Sequence, residues 1–267
     1  MNANTNTWTP CALFLVLLST GAQAQTSQTS AMPAKSTSDW NYSLGAAVIS
    51  APRFVGSDTR RTLAVPNFQA RYKDWLFIDP IRGIGVQTKL TEGLGASAAL
   101  AIDLASRKRK DDARLTGLGD ISEAAALRFG LDYRLGDAFV SANMASRLGK
   151  SNGRGTLFDA DIGYNVVKSR TALVGVGLNL KGMDSTYARN FFGVSATQSA
   201  ASGLPVFNAD GGLQSMGPFV QAVVPLSERW IFFGRAAYSK LRSDAAASPI
   251  TQERDQAFLL AAVNYRF

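Results

Sequence analysis

The sequence predicts an all-β protein: an antiparallel transmembrane β-barrel of twelve strands, with ten as the fallback, long loops extracellular and short turns periplasmic. Three observations predict it. Apolar and polar residues alternate with period two in one segment after another, so each segment has one apolar face. The segments run about 9–12 residues, the length a tilted strand needs to cross a bilayer. The chain also closes on such a strand, Ala257 to Phe267, and ends on an aromatic residue. Ends of soluble domains ordinarily fray, whereas a barrel's last strand pairs with its first and sets aromatics at the lipid–water boundary. The ending is similar to the C-terminal signal read by the bacterial barrel-assembly machinery.

The start reads as an export leader. Ala12-Leu13-Phe14-Leu15-Val16-Leu17-Leu18 is an apolar core and Ala22-Gln23-Ala24 a small-residue cleavage site. The leader lacks Lys and Arg before its core, which is atypical. Cys11 precedes that core, which argues against a lipoprotein anchor. Residues 1–24 are therefore expected to be a signal peptide and 25–38, rich in Ser, Thr and Gln, a flexible periplasmic lead-in. The barrel is expected over 39–267. Cys11 is the single cysteine among 267 residues and His is absent, so neither a disulfide framework nor a Cys/His metal site can form. No later stretch approaches the roughly 20 apolar residues of a membrane helix.

The strands follow in order. Trp40, Tyr42, Leu44, Ala46 and Val48 oppose Asn41, Ser43, Gly45 and Ala47. Pro66, Phe68, Ala70 and Tyr72 oppose Asn67, Gln69 and Arg71. The alternation returns at Ala96–Leu104, Ala125–Arg134, Phe158–Asn165, Ala172–Lys181, Trp230–Ser239 and the terminal strand, with weaker copies at Phe139–Arg147 and Pro218–Val224. Residues 75–89 are broken by Asp79-Pro80 and Arg82-Gly83. Proline cannot donate to a ladder, so this stretch divides into Trp75–Ile78 and Gly83–Lys89. The division gives an even strand count, as a chain with both ends in the periplasm requires.

The apolar face is expected to meet lipid. The other face, carrying Arg and Asp, is expected to meet the lumen. Trp40, Tyr42, Tyr72, Tyr133, Tyr164, Trp230 and Tyr238 sit at segment ends and are expected to form two interfacial girdles. Leu135-Gly136-Asp137, Val167–Arg170 and Leu226–Arg229 are the short, periplasmic turns. Residues 106–121, 149–155, 182–212 and 242–255 are the long outer loops.

Several motifs carry a family likeness. Phe191-Phe192-Gly193-Val194-Ser195 is followed by Gln198-Ser199-Ala200-Ala201-Ser202-Gly203-Leu204. Tyr238-Ser239-Lys240-Leu241 leads to Asp244 and Ser248-Pro249-Ile250. Phe54-Val55-Gly56-Ser57, Gly83-Ile84-Gly85-Val86 and Tyr265-Arg266-Phe267 complete the set. In order and spacing they resemble the MipA/OmpV family of MltA-interacting outer-membrane proteins, from about residue 40 to the end. Phe54 stands where the family more often has Tyr. The resemblance implies an outer-membrane barrel, and a scaffold role between a murein-degrading lytic transglycosylase and a murein synthase. From the residues themselves, 191–204 reads as a packed loop over the barrel mouth. Ser248-Pro249 reads as a turn before the last strand.

Composition bears on chemistry. Outer-membrane barrel hydrolases and acyltransferases generally use His as base or orienting group, and the chain has none. Asp159 and Asp161 share a strand face, but beside Arg128, Arg134 and Arg235 they read as structural ion pairs rather than a catalytic pair. The chain is expected not to be an enzyme, with no catalytic, cofactor or metal residues and no cofactor. The basic run Arg107-Lys108-Arg109-Lys110 and the net charge of +8 fit a solvated loop or lipopolysaccharide phosphates in an exported protein, and not nucleic acid. Two functions stay open: a scaffold for periplasmic murein enzymes, and a small outer-membrane pore.

Overall fold

The computed structural model describes residues 39–149 and 153–267. The expected signal peptide and lead-in lie outside the described residues, as do 150–152 of the expected 149–155 loop. The described chain forms one closed antiparallel barrel. Its strands are β1 Trp40–Pro52, β2 Arg60–Tyr72, β3 Leu76–Asp79, β4 Gly83–Thr91, β5 Leu94–Asp103 and β6 Ala124–Leu135. There follow β7 Ala138–Arg147, β8 Gly155–Lys168, β9 Leu173–Met183, β10 Gly212–Pro225, β11 Trp230–Leu241 and β12 Asp255–Arg266. The twelve-strand reading is borne out. Among the described residues no helix is long and apolar enough to cross a membrane.

The barrel closes where the terminal strand predicts. β1 pairs with β12 from Ser43↔Arg266 to Ser50↔Leu259, and Phe267 N donates to Tyr42 O at 3.1 Å. Gly45 makes this seam possible. A Cβ there would collide with Val263 O and the Asn264 amide, which instead receives Asn67 Nδ2 at 2.9 Å. Alternation sends Leu44, Val48, Ile84, Leu100, Ile102, Leu131, Ile162, Leu178 and Leu259 outward, all at least half exposed apart from Val48 at 48%. Exposed apolar rows of this kind are the lipid belt.

Four expectations are corrected. First, the expected Val167–Arg170 turn sits two residues later. A bulge between Asn165 and Val167 extends β8 to Lys168, and Ser169 Oγ accepts from Thr171 N and Ala172 N to make the turn. Second, the aromatics form one dense girdle rather than two. Trp40, Tyr42, Tyr72, Tyr133, Tyr164 and Trp230 all lie near the short turns, with Tyr238 alone among the seven at the other end. There Trp40 stacks on Tyr42 at 5.6 Å, and Tyr265 meets Trp230 and Phe267 at 5.2 and 5.0 Å.

Third, part of the lumen is apolar. Ala47, Ile49 and Ala51 of β1 and Phe258, Leu260 and Ala262 of β12 form a buried inward cluster, joined by Leu63, Val65 and Phe233. The polar-inward pattern fails here because both faces of these strands are apolar, as Leu259 beside Leu260 illustrates. The fourth correction concerns the basic run and belongs with the cap described below.

The expected split of residues 75–89 is borne out, but β3 is only four residues long. Asp79 ends it. Its carboxylate accepts from Ile81 N, Arg82 N and Gln69 Nε2 at 2.7, 2.8 and 3.0 Å, and Pro80 has no N–H to continue. The β3–β4 hairpin therefore turns back before reaching the long-loop end. β2 pairs with β3 only at Ala70, Arg71 and Tyr72.

Candidate functional site

Two constructions fill the barrel: a cap at the long-loop end and an ion-pair network in the lumen. The cap is where the sequence motifs converge. Two helices, α1 Ser185–Phe192 and α2 Ala196–Ser202, lie between β9 and β10, and α3 Ser243–Ala247 lies between β11 and β12. Asp184 caps α1 by accepting from Tyr187 N at 2.6 Å. Ser195 and Gln198 form a reciprocal capping box on α2, and Gly203 ends that helix at φ +76°. The amphipathic α1 buries Tyr187, Ala188, Phe191 and Phe192 against Ala105, Ile121, Met183, Leu241 and Ala245.

A second cluster joins Phe54, Leu115, Leu118, Val194 and Ile250. Three motifs far apart in sequence thus share one small core. Hydrogen bonds tie them further. Ser248 Oγ donates to Phe192 O at 2.6 Å while accepting from Ile250 N at 3.2 Å. Gly56 O accepts from Gln252 N and Glu253 N, and a Cβ at Gly56 would meet Thr251 Oγ1 at 2.7 Å. The 191–204 stretch is a packed plug, as its sequence suggests. Ser248-Pro249 makes the expected turn and also pins the end of α1.

The basic run is divided, and this is the fourth correction. Arg107 is 2% exposed and donates to Phe191 O at 3.3 Å. Burial lowers its guanidinium to about 10, with Asp120 opposing, so it stays cationic at neutral pH. Lys108 pairs with Glu123 at 2.8 Å. Only Arg109 and Lys110 are exposed as a solvated loop requires. The strand-like pairing of Arg107 with Ile121 turns the first residue inward, which a run of like charges in sequence conceals.

Arg147 is the hub that sequence reasoning missed. Its buried guanidinium donates to Asp103 and Gly153 O at 2.6 Å each, to Ser122 O at 2.7 Å and to Ala105 O at 3.1 Å. One side chain thus ties β7 to two loops and to the end of β5. Its inward parity at the last position of a strand was the available signal. Beside the cap core, burial raises the Tyr187 phenol above its ordinary value. Its ring stacks on Phe191 at 4.2 Å.

In the lumen the structure brings Asp159 and Asp161 together with Arg235, as the sequence suggests, and adds Asn179 and Lys181. Arg235 makes two parallel 2.9 Å bonds to Asp161, a third to Gln221 at 3.1 Å, and lies 3.9 Å from the Phe219 ring centre. Asn179 Nδ2 donates to both aspartates, at 2.7 Å to Asp161 and 3.2 Å to Asp159. Lys181 Nζ stands 4.0 Å from Asp159. Both carboxylates are 2% exposed. Arg128 points into the same lumen with Nε and Nη1 lacking a partner among the described residues. Arg134 lies closer to the short turns.

Chemically this arrangement holds charges in place. Asp161 is locked in a bidentate pair and Asp159 is shared between an amide and an ammonium. Among the described residues no group of three or more His, Cys, Asp or Glu could hold a metal ion. A small cavity of about 50 Å³ lies between lumen and cap, lined by Lys181, Gln214, Gln256 and Phe258 among others.

A family profile described as MltA-interacting protein MipA matches residues 44–267. No curated protein matches the sequence. Among solved structures, the CymD monoaromatic hydrocarbon channel is similar at 12% identity and TM-score 0.41, covering 86% of this chain and 88% of that one. OmpT of Vibrio cholerae is similar at 7% and 0.39, covering 86% and 97%. The Salmonella typhi OmpF complex with daunomycin is similar at 9% and 0.38, covering 85% and 97%. At these values the likenesses say nothing about a solute.

Proposed function

The chain belongs to the MipA family and is an outer-membrane barrel, and on that premise we propose that it acts by contact, as a scaffold for murein-degrading and murein-synthesising enzymes. Family membership carries the reading, since the family is described by interaction with the lytic transglycosylase MltA. The packed interior supports it. Arg235 reaches Asp161 from β11 to β8 across two intervening strands, and Phe139 and Phe219 meet at 6.3 Å from β7 and β10. A lumen crossed by side chains suits a protein whose work is done on its rim.

On this reading residues 1–24 direct export and are removed, and 25–38 join the periplasmic surface. The short turns face the periplasm and the capped end faces outward, where Arg109 and Lys110 can meet lipopolysaccharide phosphates. Catalysis is not part of the proposal, because the Asp159–Asp161 pair is locked and the chain has no His. The contact surface is the rim of short turns. Its test is a crosslinked pull-down from outer membranes. Replacing Gly136-Asp137 together with Leu226–Arg229 should reduce capture of a lytic transglycosylase, with assembly unchanged. The pore alternative draws on Arg128 in the lumen, whose Nε and Nη1 make no hydrogen bond among the described residues. Stable, ion-selective single-channel conductance without any captured murein enzyme would replace the scaffold with the pore.

A further inference from the structure

The short β3–β4 hairpin leaves a notch in the barrel wall. Among the described residues β2 has no paired neighbour on its β3 side from Arg60 to Gln69, and β4 begins at Gly83, opposite Ala101 of β5. Above the hairpin the wall therefore lacks two strands. At a strand spacing of about 4.8 Å the two edges start about 14 Å apart. The notch stands at membrane depth, because its β2 edge is in register with the lipid-facing Leu44 and Val48 of β1.

The backbone direction along that edge follows from two hydrogen bonds. Arg53 N donates to Thr59 O and Lys73 N to Asp39 O, one beyond each end of the β1–β2 ladder. Odd-numbered residues of β2 thus bond to β1, and even-numbered ones point into the notch. Those are Thr62, Ala64, Pro66 and Phe68. Pro66 has no N–H to offer, so it interrupts this edge as a template for another strand. A second barrel or a partner's strand is a poor occupant for that reason.

Behind the notch lies the apolar cluster of the lumen. Ile81 of the hairpin turn and Leu104 just past β5 pack against the Ile49, Leu260 and Phe258 cluster together with Leu63 and Val65. Apolar surface is thus continuous from the outer belt, over Ile81 and Leu104, to the interior. A chain of CH₂ groups fits such a path, asks no hydrogen bond of it and is the material present at that depth. We infer that the notch seats an acyl chain of a bilayer lipid, inserted laterally between β2 and β5 to reach the apolar cluster of the lumen. This is independent of the scaffold reading.

Photocrosslinking tests it. Benzoylphenylalanine replaces Val65, inward behind the notch; Leu100, on the lipid face; or Asn143, inward on β7. Each heat-modifiable variant is placed in vesicles of radiolabelled phosphatidylethanolamine and phosphatidylglycerol. Lipid adducts at Val65 should rise to the level seen at Leu100, with Asn143 at background. Leu104→Trp, which narrows the entry, should lower the Val65 adduct yield and leave Leu100 unchanged. Val65 labelling at the Asn143 level would overturn the inference. So would Val65 capturing a water-delivered alkyl probe but no lipid, because access would then run along the lumen.

Discussion

Replacing Asp161 with Ala should cost the barrel about 3 kcal/mol, the lower end of the range for breaking a buried ion pair. The variant strands the Arg235 guanidinium, 2% exposed, without its two 2.9 Å bonds. The Asn179 amide also loses its 2.7 Å acceptor. The low end applies because Gln221 Oε1 and the Phe219 ring still face the cation. Replacing both partners, as Asp161→Leu with Arg235→Met, removes the stranded charge and should recover most of the loss. The internal comparison is Asp137→Ala. Its partner Lys168 lies at 3.0 Å but is exposed, so about 0–1 kcal/mol is at stake. Equilibrium urea unfolding in vesicles, followed by the fluorescence of Trp40, Trp75 and Trp230, gives each midpoint and slope. An Asp161→Ala midpoint equal to that of Asp137→Ala would refute the claim that the lumen network is buried and structural. A double variant less stable than the single one would refute it too.

Leu131→Arg, on the lipid face, should cost about 2–4 kcal/mol in the same assay, while the adjacent lumen-facing Asp132→Asn costs less. Equal midpoints would show that the faces are reversed. Deleting Phe267 should lower the yield of folded, heat-modifiable protein in the membrane fraction, because its N–H bond to Tyr42 O and its ring contact with Tyr265 end the closing seam; unchanged yield would count against that role. Tyr187 predicts a pH dependence in the cap. Its folded pKa is raised by burial, so its stabilisation is whole below the unfolded value near 10 and fades as pH rises beyond it. Limited proteolysis between α1 and α2 should accelerate above that pH in the native protein and much less in Tyr187→Phe.

The sequence spoke most clearly where one face was apolar and the other was not. Leu131 beside Asp132 and Ile162 beside Asp161 fixed direction without ambiguity, because burial and lipid reward opposite chemistry on the two sides. Leu259-Leu260 and Val48-Ile49 carried apolar residues on both faces, so the strands were visible but the apolar lumen behind them was not. The break at Asp79-Pro80 announced a turn. It could not announce that the turn comes part-way up the wall, since that depends on which β2 residue meets Ile78. The motif residues Phe54, Val194 and Ile250 were identifiable one at a time. Their common core needed the closed barrel, which brings the β1–β2, β9–β10 and β11–β12 connections over one mouth. Arg107 shows the opposite failure. Charge runs ordinarily lie in water, and here one isolated bridge to Ile121 turns the first member of the run inward.

These features constrain how the two ends of the molecule can be used. The capped end presents surfaces held by helix caps, the Arg147 clamp and two apolar clusters, so opening a passage there would disrupt several contacts at once. Between the ends, Arg235 and Asp161 span a chord of the lumen. The short-turn end is different. Gly136 at φ +61° and Gly93 at φ +83° make tight, solvent-exposed turns, and the aromatic girdle beneath them fixes their height at the membrane surface. Both termini of the barrel emerge there as well, Trp40 stacked on Tyr42 and Phe267 against Tyr265. A rigid rim of small turns offers little area by itself, below the roughly 1,200 Å² of a stable standard interface unless further chain is added. β1 begins at that same rim. A scaffold built this way would combine turns that set orientation with a tether that supplies area, so removing 25–38 should weaken capture of a murein enzyme as much as altering the turns does. Full capture by a barrel beginning at Asp39 would assign the whole contact to the rim.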